Sequence, residues 1–273
     1  MKPKSKTDIQ HNQASSETTP ASFRIDGKIA LVTGSGSGLG KDISLALAHA
    51  GADLVVTELP SRMPTAKETA TRIHALGRRA FPVSLDVTSL KSIERMVNKS
   101  LEHFGRIDIL VNNAGVNVSR PALEVTEEQW DRILGVNLKG VFFCAQAVGR
   151  HMVRQKSGKI INIASQNGVI GYYNRAAYCS SKAGVVNLTR VLAIEWAPFQ
   201  INVNAIGPTF IRTPLTAKLF EDPEFSAEIL SRIPLGRLGN PADVSGAAVF
   251  LASPAADMIT GHTLLVDGGW TSL

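Results

Sequence analysis

The stretch Ile29-Ala-Leu-Val-Thr33-Gly34-Ser-Gly-Ser37-Gly38-Leu39-Gly40-Lys-Asp42 decides the fold. Its first half is a continuous apolar run, the pattern of a strand covered on both faces. Its second half is rich in glycine, which permits a tight turn and close backbone approach to a ligand. A helix that starts there offers free N–H groups and partial positive charge to a pyrophosphate. The strict G-x-G-x-x-G spacing fails at Leu39. The phosphate loop of nucleoside triphosphatases fails at Ser35 and at Asp42, where it needs Gly and Ser or Thr. What fits is G-x-x-x-G-x-G, from Gly34, Gly38 and Gly40. A plain surface loop is the alternative, but between a buried strand and a helix the spacing reads as nucleotide binding.

Downstream, apolar β-branched runs alternate with helical patterns. Strands are expected at Lys28–Thr33, Asp53–Thr57, Ala80–Ser84, Asp108–Asn112, Lys159–Ala164, Ile201–Ile206 and Thr263–Val266. Helices are expected at Gly38–Ala50, Pro64–Leu76, Ser89–Phe104, Thr126–Gln155, Ala177–Trp196 and Pro241–Ala252. Strand and helix in alternation predict an α/β fold, one doubly wound parallel sheet of the Rossmann type with helices on both faces. Residues 23–273 are expected to form this single domain. Residues 1–22 are polar, without an apolar core or an Arg, and read as a disordered tail rather than a secretory signal.

The 273 residues suffice for one large core, and 44% hydrophobic with 19% charged residues is ordinary globular composition. The net charge of +6 comes from scattered Lys and Arg mixed with acids, which argues against a nucleic-acid stripe. No run approaches the roughly 18 apolar residues of a membrane span. Two cysteines, Cys144 and Cys179, make no framework and fit a reducing cytoplasm. The six histidines are dispersed without ligand spacing, so no metal is expected.

The acid expected about 20 residues after the glycine turn is Glu58, at the tip of the second strand. A carboxylate there accepts hydrogen bonds from ribose hydroxyls and repels a 2′-phosphate. Ser37 supplies no cation, so both residues favour NAD over NADP. Arg62 is the dissenting residue, close enough in sequence to reach a phosphate.

Tyr178 and Lys182 are four residues apart, and on a helix that spacing puts phenol and ammonium on one face. A phenol with a pKa of about 10 is a poor base at neutral pH. A neighbouring cation is expected to lower that value and let Tyr178 take a proton from an alcohol. Ser165 lies upstream as a donor to the reacting oxygen. Polar side chains at Gln166, Asn167, Asn174, Asn117 and Arg120 are expected around the substrate.

Together these residues resemble the short-chain dehydrogenase/reductase family from about Gly27 to the C-terminus. The resemblance rests on Thr33-Gly34-x-x-x-Gly38-x-Gly40, Asp86-Val87, Asn112-Asn113-Ala114-Gly115, Asn137, Ser165, Tyr178, Lys182 and Val266-Asp267-Gly268-Gly269. It implies that Asp86 and Val87 flank an adenine, and that Asn112, Ala114 and Gly115 line the cofactor cleft. Pro208, Ile211 and Thr213 would lie on the nicotinamide side, and Asn137 would hold a water linking Lys182 to solvent. Pro208-Thr209 departs from the usual Pro-Gly, which puts the position of that loop in question. The resemblance further implies alcohol–ketone interconversion, a homotetramer, and a small polar substrate such as a sugar, sugar acid or polyol. Its alternatives are a 3-oxoacyl-carrier-protein reductase and a hydroxysteroid-type dehydrogenase. A non-catalytic NAD-binding regulator is disfavoured by the presence of Ser165, Tyr178 and Lys182 together.

Overall fold

A computed structural model describes residues 22–213, 216 and 220–273. The expected tail, through residue 21, lies outside the described residues. Seven strands run β1 (Ile29–Val32), β2 (Asp53–Glu58), β3 (Ala80–Ser84), β4 (Ile109–Asn112), β5 (Gly158–Ile163), β6 (Ile201–Pro208) and β7 (Thr263–Val266). They form one sheet in the order β3-β2-β1-β4-β5-β6-β7, and every pairing is parallel. The helices are α1 (Gly38–His49), α2 (Met63–Ala75), α3 (Leu90–Phe104), α4 (Glu127–Leu134), α5 (Val141–Gln155), α6 (Ala176–Trp196), α7 (Pro223–Ser231) and α8 (Pro241–Ala252).

The continuous apolar strands have a direct cause. Successive strand residues point to opposite faces, so a strand covered on both sides needs apolar residues at every position. Ala30, Val32, Leu54, Val56, Ile109 and Val111 pack with α1, α2 and α8 on one face. Ile29, Leu31, Val55, Leu110 and Ile160 pack with α3, α5 and α6 on the other. Strand order reverses between β1 and β4, and the carboxyl ends of those two strands open the crevice where ligands bind in such sheets.

The amino ends of the strands are pinned instead. Asp53 is buried and accepts from Arg79 N (2.9 Å) and Arg79 Nε (2.7 Å), with Arg78 Nη2 at 3.0 Å. Asp108 is buried too, accepts from Ile29 N (2.9 Å), and pairs with Arg106.

The helix expected over Thr126–Gln155 is three pieces. Thr126 caps α4 through a capping box with Gln129, as its Thr-Glu-Glu-Gln opening predicts. The chain then widens into a π-helical turn, Gly135–Gly140, before α5. Glycines bound the turn, and buried Asn137 sits in it, a placement typical of functional sites. Helix α7 was absent from the expected elements, although Asp222-Pro223-Glu224 carries a helix-start signal. Asp222 Oδ1 accepts from Glu224 N (2.9 Å) and Phe225 N (3.2 Å).

Candidate active site

A cleft of about 740 Å³ opens at the carboxyl edge of the sheet. One end is the glycine turn. Gly38 has φ +52°, and a Cβ there would meet nothing within 4 Å, so its surface faces open space. Gly40 is required by close approach: a Cβ there would run into Asn113 Nδ2 and the Gly34 carbonyl. Ser37, the N-cap of α1, makes no side-chain cap, so the first N–H groups of the helix stay free for an anion.

The cleft brings together nearly every residue expected to bind the cofactor. Gly34, Ser37, Gly38, Leu39 and Gly40 line it, as do Glu58, Asp86, Val87, Ala114 and Gly115. Pro208, Ile211 and Thr213 close it on the side of β6. Asn112 is the exception. It is buried behind the wall, where Nδ2 donates to Asn162 Oδ1 (2.9 Å) and ties β4 to β5. Strand alternation sends its neighbour Asn113 the other way. Asn113 lines the cleft, donates from Nδ2 to the Thr33 (2.9 Å) and Gly34 (3.1 Å) carbonyls, and so fixes the glycine turn.

Glu58 is buried, and its Oε1 accepts from Leu59 N at 3.0 Å. Across the mouth Arg62 Nη2 donates to Ser37 Oγ at 2.8 Å. The acid expected at a ribose and the cation able to meet a phosphate therefore share one rim. Asp86 Oδ1 accepts from Thr88 N (2.9 Å) and Thr88 Oγ1 (2.7 Å), which orients its loop.

The other end holds Ser165, Tyr178 and Lys182, on the β5 exit and α6. Ser165 Oγ accepts from Asn167 N at 3.1 Å, so its own proton remains free to donate. Lys182 is buried, donates from Nζ to the Ile163 carbonyl at 2.7 Å, and lies 5.8 Å from the Tyr178 ring centroid. Burial pushes the Lys182 ammonium down to about 8. Burial also pushes the Tyr178 phenol above its ordinary value, with the Ser165 hydroxyl and the Arg175 charge pulling the other way. This is opposite to the drop expected from sequence: desolvation of the site outweighs the pull of Ser165 and Arg175 on the phenol.

Asn137 braces this end from behind. Its Oδ1 accepts from Val116 N (2.8 Å), and Nδ2 donates to the Val116 carbonyl (2.9 Å) and Ser181 Oγ (3.2 Å). Both amide protons are engaged, so the water that the resemblance assigns to Asn137 has only oxygens to bind there. A Cβ built on Gly115 would lie 3.4 Å from Asn137 Oδ1 and 3.8 Å from Lys182 Nζ, which places all three residues together.

Of the expected substrate residues, Gln166, Asn167 and Asn117 line the cleft. Asn174 does not. It is exposed at φ +56°, a conformation Asn tolerates, and turns the chain into α6 outside the cleft. Arg120 is also exposed and lies 4.0 Å from Glu124. Both amide atoms of Gln166, Oδ1 of Asn167 and Oγ1 of Thr209 are buried without a hydrogen-bond partner. Thr209 needs no left-handed backbone, so the loss of Gly there imposes no strain. Phe210 also lines the cleft and joins a cluster with Tyr172, Phe220, Phe225 and Trp270.

Sequence reasoning passed over Asn113 as a wall residue, and Arg175, which lines the cleft near Tyr178. Asn113 was legible from strand alternation. Arg175 had no motif to flag it.

The glycine cradle, the uncapped helix start and a continuous cleft ending at Tyr178 and Lys182 fit a nicotinamide dinucleotide. The family profile described as enoyl-(acyl carrier protein) reductase matches residues 34–271. The chain is 45% identical to the 2-dehydro-3-deoxy-D-gluconate 5-dehydrogenase of Escherichia coli (strain K12), covering 92% of this chain and 98% of that protein. It is 41% identical to an NAD-dependent glycerol dehydrogenase of Listeria innocua, over 91% and 96% respectively. A solved gluconate 5-dehydrogenase from Burkholderia cenocepacia, in complex with NADP and tartrate, superposes with a TM-score of 0.89. That structure is 38% identical, with 93% of this chain and 98% of that chain covered.

Proposed function

We propose, from the premise that this chain belongs to the short-chain dehydrogenase/reductase family, that it interconverts a secondary alcohol and a ketone on a small polar substrate, a sugar, sugar acid or polyol. The observation that carries this reading is the single cleft joining the glycine turn to Ser165, Tyr178 and Lys182. When bound there, the dinucleotide supplies the hydride acceptor or donor.

The protein's own groups handle the proton and the charge. Ser165 donates its free proton to the substrate oxygen, where charge changes during reaction. Tyr178 takes the hydroxyl proton in oxidation and returns one in reduction. Its raised pKa suits the proton-donor role, and oxidation draws on the minor phenolate form, so oxidation quickens as pH rises. Lys182, beside the ring, favours that phenolate, and Asn137 holds a water on its free oxygen capacity that links Lys182 to solvent. Gln166, with two unpartnered amide atoms, meets substrate hydroxyls.

NAD is the favoured cofactor, because a 2′-phosphate at the rim would face the buried Glu58 carboxylate. Arg62 on Ser37 leaves a route to NADP. Replacing Glu58 with Ser while Arg62 remains should move the kcat/KM ratio at least tenfold toward NADP. Both cysteines are free, which supports a reducing compartment such as the cytoplasm. A homotetramer would cover the groove at α4, α5 and α6, lined by Leu134, Leu138, Phe142 and Leu188, with Val191 and Ile194 exposed on the same helix as Leu188.

The test is steady-state turnover of polyols, aldonates, sugars, ketosteroids and acyl-thioesters with both cofactors. The reading expects a polyol or sugar acid to lead, with NAD. Turnover confined to ketosteroids or acyl-thioesters would overturn it.

A further inference from the structure

At the substrate end Lys182 has the Ile163 carbonyl as partner, and a second buried cation has none among the described residues. Arg175 lines the cleft and is only 8% exposed. Among the described residues its side chain makes no salt bridge and no hydrogen bond. Arg232 on the neighbouring wall shows how the fold treats an arginine it needs for structure. That guanidinium pairs with Glu228 at 3.0 Å and lies over the rings of Tyr172, Tyr173 and Trp270 at 5.9–6.0 Å.

Burying a charge is costly unless it is paired. Among the described residues no carboxylate pairs with Arg175, and two acids of the C-terminal segment are committed elsewhere. Glu228 is on Arg232, and Asp267 accepts from Gly269 N, Thr271 N and Thr271 Oγ1. Glu58 and Asp86 belong to the opposite end of the cleft. Two other residues lining the cleft repeat the pattern: Gln166 and Asn167 carry buried polar atoms without partners. An uncompensated guanidinium in a cleft that also holds unpartnered amides suits an anion that arrives with the ligand.

We propose that Arg175 is the substrate's anion anchor, and that the substrate is a hydroxy acid. Its carboxylate docks on the Arg175 guanidinium while its carbinol meets Ser165 and Tyr178. A guanidinium forms two parallel hydrogen bonds to a carboxylate. Arg175 is the N-cap of α6, three residues before Tyr178; both line the cleft, and the Arg175 charge acts on the Tyr178 phenol. Anchor and proton-transfer group are therefore close enough for one small molecule to span. A single free guanidinium matches one negative charge better than a phosphate dianion. The inference rests on the dehydrogenase reading above and narrows it from polar substrates in general to sugar acids.

The test compares wild type, Arg175→Met and Arg175→Lys on an aldonate, the neutral polyol of equal carbon number, and that polyol's phosphate ester. Wild type should prefer the aldonate. In Arg175→Met the aldonate-to-polyol ratio of kcat/KM should fall at least thirtyfold, mainly through KM. Arg175→Lys, which keeps charge without the fork, should fall between them. An effect exerted through Tyr178 would lower both substrates alike and leave the ratio unmoved, which would overturn the proposal. A phosphate ester that outperforms the aldonate would also overturn it.

Calorimetric titration with succinate, which has no carbinol to oxidise, decides the matter without turnover. The proposal requires binding to wild type that weakens at least tenfold in Arg175→Met, with far-ultraviolet circular dichroism unchanged. Succinate binding independent of Arg175 would overturn it. A wild type that oxidises only neutral polyols, with succinate binding unaffected by Arg175→Met, removes the anchor and leaves the dehydrogenase standing. A wild type that oxidises nothing in the series but binds succinate through Arg175 removes the dehydrogenase and leaves the anchor.

Discussion

At the amino end of the sheet, Asp53 and Asp108 are buried carboxylates with their partners in place: two hydrogen bonds from Arg79 and an ion pair with Arg78 to one, though Arg78 Nε itself lacks a partner, and Ile29 N with Arg106 to the other. At the carboxyl end, the Gln166 amide, Asn167 Oδ1 and Thr209 Oγ1 are buried without partners, and the Arg175 guanidinium has no hydrogen bond or salt bridge among the described residues. The first set lies at the starts of β1, β2 and β4, and the second follows β5 and β6 and caps α6. Folded proteins satisfy nearly all buried polar groups, and the ones they leave open need a reason. At the amino end burial serves the fold, since the carboxylates fix where β1, β2 and β4 begin. At the carboxyl end the buried groups without partners belong to residues that line the cleft assigned above to the ligand.

Four variants can break or sharpen this contrast. The largest effect is expected from Tyr178→Phe, which should lower kcat about 10³-fold, within the range for loss of a general acid–base. Its melting temperature and dinucleotide affinity should stay close to wild type, as fluorescence titration would check. Retained turnover would show that the carboxyl end does its chemistry elsewhere.

Asp108→Ala at the opposite end should behave inversely. It leaves Ile29 N–H and Arg106 without their partner and should cost about 2–3 kcal/mol in urea unfolding. The kcat of the folded fraction should not change. A stability loss below about 0.5 kcal/mol would show that the pinned carboxylates are ornamental to the fold.

Lys182 gives a pH signature. Its pKa of about 8 lies below its unfolded value, so between the two the unfolded chain binds more protons. Stability should therefore climb as pH rises from about 8 to about 10.5, by an amount on the order of 3 kcal/mol at most. Urea titrations of wild type and Lys182→Met at pH 7 and pH 10 isolate this contribution. The difference should favour wild type more at pH 10, and an unchanged difference would contradict it.

Gln166→Leu should produce the smallest shift, and its sign is the informative part. Replacing two unpartnered amide atoms by apolar groups of similar size should leave the fold unchanged or up to about 1 kcal/mol more stable. KM should rise at the same time. A destabilised variant with normal KM would mean that Gln166 serves the fold.

The sheet was legible because alternate strand residues feed two cores, and only a doubly covered parallel sheet demands apolar residues at every position. The glycine turn and the Ser165, Tyr178, Lys182 set were legible because their spacing is itself geometric. Three features were hidden for separate reasons. Asn112 and Asn113 are chemically alike, and only the strand's exact end decides which one faces the cleft. Asn174 adopts a left-handed backbone that turns it outward, which its neighbours in sequence do not announce. Arg175 is marked by the partners it lacks, and a missing partner is a property of three dimensions. The π turn at Gly135–Gly140 was foreshadowed only by its two glycines, and its reason, the seat of Asn137 behind Val116, lies 21 residues away in the chain.

The pH dependence of alcohol oxidation, run side by side for wild type and Tyr178→Phe, tests the assignment of the proton-transfer end most directly. Burial raises the Tyr178 phenol, so the base form grows with pH. Wild-type kcat should rise toward alkaline pH, about tenfold per unit on the acid side of the profile, and the residual activity of Tyr178→Phe should lose that slope. A wild-type rate flat from pH 6 to pH 9, or the same slope in both proteins, would contradict the role given to Tyr178.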